Sequence, residues 1–276
     1  MIESRAHPQP APDGGVQLVR EWTPAVPPLG DVVIVHGLGE HSGRYERTGS
    51  ILAEGGYQVR SFDLIGFGAS SGSRGDIARW SIFLDQVEGH LDESRTGDRP
   101  LILLGHSMGG LIALDYALSE RPQPDVLVLS APLLTGGKAW QRKLAPHLAR
   151  VFPSLALPAA ITGDVLSRDP AVGEAYFSDP LVLTKTTTRL GASILSAGDR
   201  TRGALQRLRA PTLVLHGGTD TLVPTVCTEV LAGRPAVERR VFPALRHEIF
   251  NEPEGPEVVA EIIDWIRSTS PAANST

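Results

Sequence analysis

Apolar positions along the chain follow two patterns. The first is the short, unbroken apolar run, as in Val32-Val33-Ile34-Val35 and Leu101-Ile102-Leu103-Leu104. A strand covered on both faces has no polar side to alternate with, so such runs predict a buried, largely parallel sheet. Short β-rich runs, most ending at or beside glycine, aspartate or serine and most of the later ones continuously apolar, predict strands over Val16–Trp22, Asp31–His36, Tyr57–Asp63, Pro100–Gly105, Asp125–Ser130, Thr212–His216 and Glu238–Phe242. The second pattern repeats at steps of three and four and predicts helices over Trp80–Glu93, Met108–Ser119 and Pro256–Arg267. In the last of these, Val258, Val259, Ile262, Ile263 and Ile266 make one stripe. Strands alternating with helices imply an α/β fold, a mostly parallel central sheet flanked by helices.

One stretch breaks the alternation. From Leu133 to Arg200 no strand is legible, whereas Trp140, Leu144, Leu148, Val151, Phe152 and Leu155 fall at helical spacing. Pro146, Pro153 and Pro158 are placed to kink or end those helices. The stretch is too long for a simple crossover between strands. It reads as a helical cap, residues 133–200, inserted into a core made of residues 1–132 and 201–276 and lying over the carboxyl edge of the sheet. The proline-rich start, through Pro12, reads as a loose tail.

Composition narrows the function. With 26 Lys+Arg against 31 Asp+Glu, and no basic run, the chain lacks the positive stripe that a nucleic-acid partner requires. The single cysteine, Cys227, excludes an intrachain disulfide and a thiolate-rich metal site. Neither a signal-peptide core nor an apolar run of roughly 20 residues is present. The expectation is a cytoplasmic protein that uses no cofactor and no metal.

The candidate chemistry lies in a Gly-x-Ser-x-Gly pattern, which occurs twice. Gly68-Ala69-Ser70-Ser71-Gly72 sits in a glycine-serine loop with no helix behind it. Gly105-His106-Ser107-Met108-Gly109 follows one predicted strand and opens the next predicted helix. Strand, sharp turn and helix are the context of a nucleophile elbow, so Ser107 is the candidate nucleophile and Ser70 a structural serine. A serine hydroxyl needs a base, and the base an orienting acid. Asp220, in the loop after Thr212–His216, is the candidate acid; His247, after Glu238–Phe242, is the candidate base and the only histidine beyond Asp220. Asp199 follows no strand, Asp115 and Asp125 read as surface or capping carboxylates, and His36 and His216 as residues that shape loops. Oxyanion donors are expected from the backbone N–H groups of Met108 and of Leu38, in His36-Gly37-Leu38-Gly39.

These motifs carry a resemblance. His36-Gly-Leu-Gly-Glu-His-Ser-Gly-Arg-Tyr45, Gly105-His-Ser-Met-Gly-Gly110, Ser167-Arg-Asp-Pro170, Asp179-Pro-Leu-Val182 and His247-Glu together resemble the monoacylglycerol lipase and lysophospholipase family of α/β-hydrolases. The resemblance implies cofactor-free hydrolysis of monoacylglycerols to glycerol and fatty acid through a Ser-His-Asp acyl-enzyme. It implies a lipid ester as substrate and a mobile apolar cap in peripheral contact with membranes or lipid aggregates. Glu40 and Arg44 would then bind the glycerol head, the competing reading being that they pair and brace the loop. Trp140, Leu144, Leu148 and Phe152 would line or gate an acyl channel, or else pack the cap on the body. Leu64 and Phe67 depart from the histidines usual in the family. The same machinery would serve a lysophospholipase, a short- or medium-chain carboxylesterase or a cofactor-free perhydrolase, and a non-catalytic ligand-binding member of the fold is the alternative of another class.

Overall fold

The computed structural model describes residues 1–11, 14–134, 139–159 and 161–269. The first half comprises β1 (Arg5–Pro10), β2 (Val16–Trp22), β3 (Gly30–Val35), α1 (Glu46–Glu54), β4 (Tyr57–Phe62), α2 (Ser81–Ser94), β5 (Leu101–His106), α3 (Met108–Ala117) and β6 (Val126–Ser130). Then come α4 (Ala139–Val151), β7 (Ala156–Pro158), α5 (Gly163–Leu166), α6 (Pro170–Ser178), β8 (Lys185–Thr187) and α7 (Thr188–Ala204). The chain closes with β9 (Thr212–Gly217), α8 (Val226–Glu229), β10 (Val237–Phe242) and α9 (Gly255–Thr269). All seven strands expected from the β-rich runs are present, with ends that agree within one residue.

The main sheet runs β1-β2-β4-β3-β5-β6-β9-β10. β2 pairs antiparallel with β1 and β4, and every other pairing is parallel. Side chains alternate across a strand, so Val33, Val35, Leu103 and Leu129 join α2, α3 and α7 on one face. Val32, Ile34, Leu104 and Val128 meet α1 and α9 on the other. Both faces are covered, which is why the runs read as continuously apolar.

The structure corrects several of these expectations. Residues 5–10 are not a loose tail but the edge strand β1; Pro8 and Pro10 are tolerated because a strand at the rim need not donate outward. Pro12 lies outside the described residues. The stretch read as strandless holds the antiparallel ribbon β7–β8, three residues a side and too short to leave a periodic trace. Its last helix, α7, crosses the expected boundary at residue 200, and α4 runs through Pro146, ending before Pro153. Asp115 is not on the surface either: it is buried on α3 and accepts from Trp80 Nε1 (2.8 Å), Arg200 (2.7 Å) and Thr201 Oγ1 (3.2 Å), so it joins α3 to both α2 and α7.

Besides the contacts of Asp115 with α7, three groups of hydrogen bonds among the described residues anchor the segment between β6 and β9 to the core. Leu183 N donates to Gly39 O at 2.7 Å, and His41 Nε2 donates to Asp179 Oδ2 at 2.8 Å. Thr187 Oγ1 (2.7 Å) and Arg189 Nε (3.0 Å) both donate to Asp76 Oδ1. The third anchor is Glu252, a fully buried carboxylate that accepts from Arg246 N (2.7 Å), Arg168 N (3.0 Å), Arg168 Nε (3.1 Å) and Ser167 Oγ (3.2 Å). Ser167-Arg168-Asp169-Pro170 thus hangs from the segment that carries His247, while Asp169 caps α6 through Ala171 N (3.0 Å) and Pro170 fills its first position. Among the described residues no helix is long and apolar enough to cross a membrane.

Two consequences can be measured. Removing the Glu252 carboxylate leaves buried donors unmet, so Glu252→Ala should cost about 3 kcal/mol in urea unfolding, whereas Asp199→Ala, which breaks only the exposed pair with Arg142, should cost less than about 1 kcal/mol. Burial lowers His90 to about 3, with the charge of Arg60 adding to it, and lowers His106 to about 3, with His247 adding to it. Both groups titrate near 6.5 when unfolded, so below that pH the unfolded chain binds the extra protons and folding stability falls. Unfolding midpoints should therefore drop between pH 6.5 and 5, by about 2 kcal/mol per histidine at pH 5. A flat profile over that range would contradict the buried neutral imidazoles.

Candidate active site

β5 ends and α3 begins across a single residue. Ser107 has φ 54° and ψ −116°, and among the described non-glycine residues only Ala131 also has a positive φ. The flanking glycines permit the turn: a Cβ at Gly105 would collide with the carbonyl of Gly109, and one at Gly109 with the carbonyl of Val35. Ser107 N donates to Ser130 O (2.9 Å), and Ser107 O accepts from Leu133 N (3.0 Å) and Leu111 N (3.1 Å), so the strained backbone is held on three sides. The side chain opens onto a cavity of about 190 Å³. Ser70, in the other Gly-x-Ser-x-Gly, donates to Asp63 O (2.7 Å) and accepts from Leu18 N (3.0 Å), a structural serine as expected.

His247 reaches the same cavity from the loop after β10, and its Nδ1 meets Asp220 Oδ2 at 2.7 Å. Asp220 sits after β9, with Oδ1 accepting from Leu222 N (2.9 Å) and Val223 N (2.8 Å). His216 Nε2 lies 3.3 Å from Asp220 Oδ2 and 2.7 Å from Val223 O, so this second histidine steadies the acid and its loop. Burial alone would raise the Asp220 carboxyl, but hydrogen bonds from His216 and His247 hold it well below the ordinary carboxylate range. An ionised carboxylate on Nδ1 fixes the tautomer that leaves Nε2 free to accept a proton. His36 shapes its loop: Nδ1 donates to Gly37 O (2.8 Å) and Nε2 accepts from Leu64 N (2.9 Å). His106 stacks obliquely on His247, with ring centres 4.8 Å apart, and bonds Ser130 Oγ at 3.0 Å.

Leu38 lines the cavity, whereas the Met108 side chain is fully buried below it. Met108 opens α3, where first-turn N–H groups have no carbonyl within the helix. The polar end is built from Glu40, Arg44 and two residues that the sequence did not single out for binding. Glu40 Oε1 accepts from Gly37 N (2.5 Å) and Tyr45 Oη (2.8 Å), and Oε2 from Arg44 (3.2 Å). Arg44 also makes a two-pronged pair with Glu248, at 2.5 and 2.9 Å. Burial opposes the charge of Arg44, but Glu248 and Glu40 outweigh it and raise the guanidinium above its ordinary value. The competing reading, that Glu40 and Arg44 pair, is what the geometry shows for Arg44: Glu40 lines the cavity, whereas Arg44 is not among its lining residues and is paired with the carboxylates. Tyr176 packs its ring 4.7 Å from the Arg44 guanidinium, and its buried hydroxyl has no hydrogen-bond partner among the described residues. Glu248 follows His247 in the chain, but nothing in the sequence announces its pairing with Arg44, 204 positions away.

The apolar wall consists of Leu38, Leu133, Ile161, Leu166, Leu222 and Val223. Trp140, Leu144, Leu148 and Phe152, expected at an acyl channel, do not line this cavity. Instead Trp140, Leu144 and Phe152 are exposed, and the first two face a separate apolar groove between α4, β7 and α7. Helical periodicity located their common face but not which way it turns.

The chain is similar to known proteins over nearly its whole length. A monoacylglycerol lipase of Mycolicibacterium smegmatis is 35% identical over 266 residues, 92% of this chain and 94% of that protein. A phospholipase of Bacillus subtilis is 34% identical over 86% of this chain and 95% of its own length. The crystal structure of a Paleococcus ferrophilus monoacylglycerol lipase superposes with a TM-score of 0.83 at 31% identity, covering 91% of this chain and 98% of that one. The model of the family described as serine aminopeptidase, S33, matches residues 26–254, a span that contains the turn at Ser107, the Asp220–His247 pair and the whole segment between β6 and β9. On this match the chain belongs to the serine aminopeptidase S33 family of hydrolases and has the α/β-hydrolase fold.

Proposed function

We propose that the protein hydrolyses monoacylglycerols to glycerol and fatty acid with Ser107, His247 and Asp220 as its catalytic triad. One observation carries the reading: a serine on a strained turn and a histidine with a carboxylate 2.7 Å from its Nδ1 line one cavity that is apolar on one wall and polar at one end. Ser107 Oγ attacks the ester carbonyl as His247 Nε2 takes its proton, and Asp220 stabilises the imidazolium that forms. The oxyanion is held by the N–H groups of Leu38 and Met108. In support, Glu40 already occupies the Gly37 N–H, which leaves the next amide of that loop for the substrate. His247 then protonates the departing glycerol, and the same histidine activates the water that releases the fatty acid.

Residues 133–200 serve as a cap over this site. The support is that Ala159, Ile161, Leu166, Tyr176 and Thr186 all contribute to the cavity wall. The acyl chain lies along Leu133, Leu166, Leu222 and Val223, and the glycerol head meets Glu40 and Tyr176, with Arg44 holding the carboxylates in position. Exposed Trp140, Leu144, Phe152 and Leu157 give the cap an apolar outer surface suited to peripheral contact with lipid aggregates on the cytoplasmic side. The relatives named as monoacylglycerol lipases support the substrate class.

Ser107→Ala should lower fatty-acid release from 1-oleoylglycerol by about 10⁴-fold or more and abolish labelling by a fluorophosphonate, with an unchanged melting temperature. Turnover retained by this variant would sink the nucleophile. Cleavage of aminoacyl p-nitroanilides by the wild-type chain, with the monoacylglycerol left intact, would move the substrate class to peptides.

A further inference from the structure

We infer that the polar end of the cavity, with Glu248 as its deciding residue, selects a neutral head carrying two hydroxyls and refuses one bearing a phosphate. The inference rests on the ester-hydrolase reading above and asks which lipid ester that site accepts.

Counting hydrogen-bond capacity defines the head. Each carboxylate oxygen accepts about two hydrogen bonds. Glu40 Oε1 is filled by Gly37 N and Tyr45 Oη, while among the described residues Oε2 accepts only from Arg44. Glu248 Oε2 is filled by Arg44 and Asn251 Nδ2 (2.9 Å), while among the described residues Oε1 accepts only from Arg44. One acceptor position therefore stays open on each carboxylate, and both residues line the cavity. The unpartnered Tyr176 hydroxyl adds one donor. Two open acceptors and one donor match two alcohol hydroxyls, each of which can donate once. A monoacylglycerol presents two free hydroxyls; the alcohol part of a simple alkyl ester presents none.

Charge excludes the anionic alternative. Two carboxylates against one guanidinium leave this cluster with a formal charge of −1. Among the described residues lining the cavity there is no Lys or Arg, because Arg44 is turned into its own carboxylates and covered by the Tyr176 ring. A phosphate brings acceptors and negative charge to a wall that offers acceptors and negative charge. With both carboxylates buried, water screens that mismatch little. The B. subtilis relative named as a phospholipase makes the distinction a real one for this fold.

The test compares 1-oleoylglycerol with 1-oleoyl lysophosphatidic acid, which differ only by the phosphate, in the same neutral detergent micelles. The expected kcat/KM ratio is about 100-fold or more in favour of the neutral ester. Glu248→Gln keeps the shape but removes one charge, and should narrow that ratio by about tenfold or more. Hydrolysis of p-nitrophenyl butyrate, which has no glycerol head, normalises the variant. Should the variant not fold, competitive inhibition of wild-type p-nitrophenyl butyrate hydrolysis carries the test: glycerol should inhibit at a lower concentration than glycerol 3-phosphate. Equal rates on both lipids, a ratio untouched by Glu248→Gln in a folded variant, or the reverse inhibition order would overturn the inference and leave the hydrolase standing. Absence of turnover on every ester, p-nitrophenyl butyrate included, would overturn the hydrolase reading and this inference with it.

Discussion

The close approach of backbone to backbone around Ser107 is the constraint on which the site depends. α3 is pressed so near β5 and the end of β3 that no side chain fits at Gly105 or Gly109. Only this contact lets Ser107 hold φ 54° and project its hydroxyl beyond the sheet, at the mouth of a helix whose first N–H groups point the same way. The strain is supported by the parallel strands on either side. Ser130, at the end of β6, receives the Ser107 amide, and Val35, at the end of β3, supplies the carbonyl against which Gly109 lies. A core of continuous apolar strands is thus more than ballast. It supplies the rigidity that keeps one residue in a conformation it would leave if free.

Electrostatics divides the rest of the site into two ionic groups with different tasks. Around Asp220, two backbone amides and two histidines converge on a single carboxylate. Burial disfavours that charge and the four contacts restore it, so Asp220 stays ionised against the His247 ring. Around Arg44 the balance is reversed, with one cation shared by two carboxylates and backed by an aromatic ring. Removing either partner of such a buried pair costs far more than the pair contributes, so the arrangement is rigid in a way that an exposed salt bridge is not. A rigid set of acceptors is what discrimination between similar alcohol heads requires.

The segment between β6 and β9 connects to both groups. Glu252 ties Ser167 and Arg168 to the backbone beside His247, and Leu183 and Asp179 hold the loop that carries Glu40 and Arg44. Gly39 has φ 80° and lies against the Leu183 carbonyl, where a side chain would push the two apart. The wall of the cavity and the machinery beneath it are therefore not independent. A displacement of residues 163–187 would be felt at His247 and at Glu40 alike. The exposed face of α4 has no comparable ties to the core in the anchors described, and it carries the apolar surface.

Local chemistry decided much of this in advance. Unbroken apolar runs such as Val32–Val35 and Leu101–Leu104 required a sheet covered on both faces, and the seven strands expected from the β-rich runs lie within one residue of their observed ends. Ser107 was legible because a strand, two glycines and a helix leave a local signature, and Asp220 and His247 because each follows a strand of the same sheet, whose carboxyl edge gathers such loops. What stayed hidden were relations that no local pattern encodes. β1 was read as a tail because its prolines forbid only an interior strand, and pairing with β2 is a property of the edge. The face shared by Trp140, Leu144 and Phe152 was visible in the periodicity, but a helix's rotation about its axis is set by what it packs against. Glu248 entered the sequence analysis only as part of the His247-Glu motif, and its pairing with Arg44 across 204 positions came only with the fold. Periodicity and turn chemistry act between near neighbours and can be read from the sequence, whereas the pairing of buried charges and the direction of a cavity wall arise only when distant segments exclude water together.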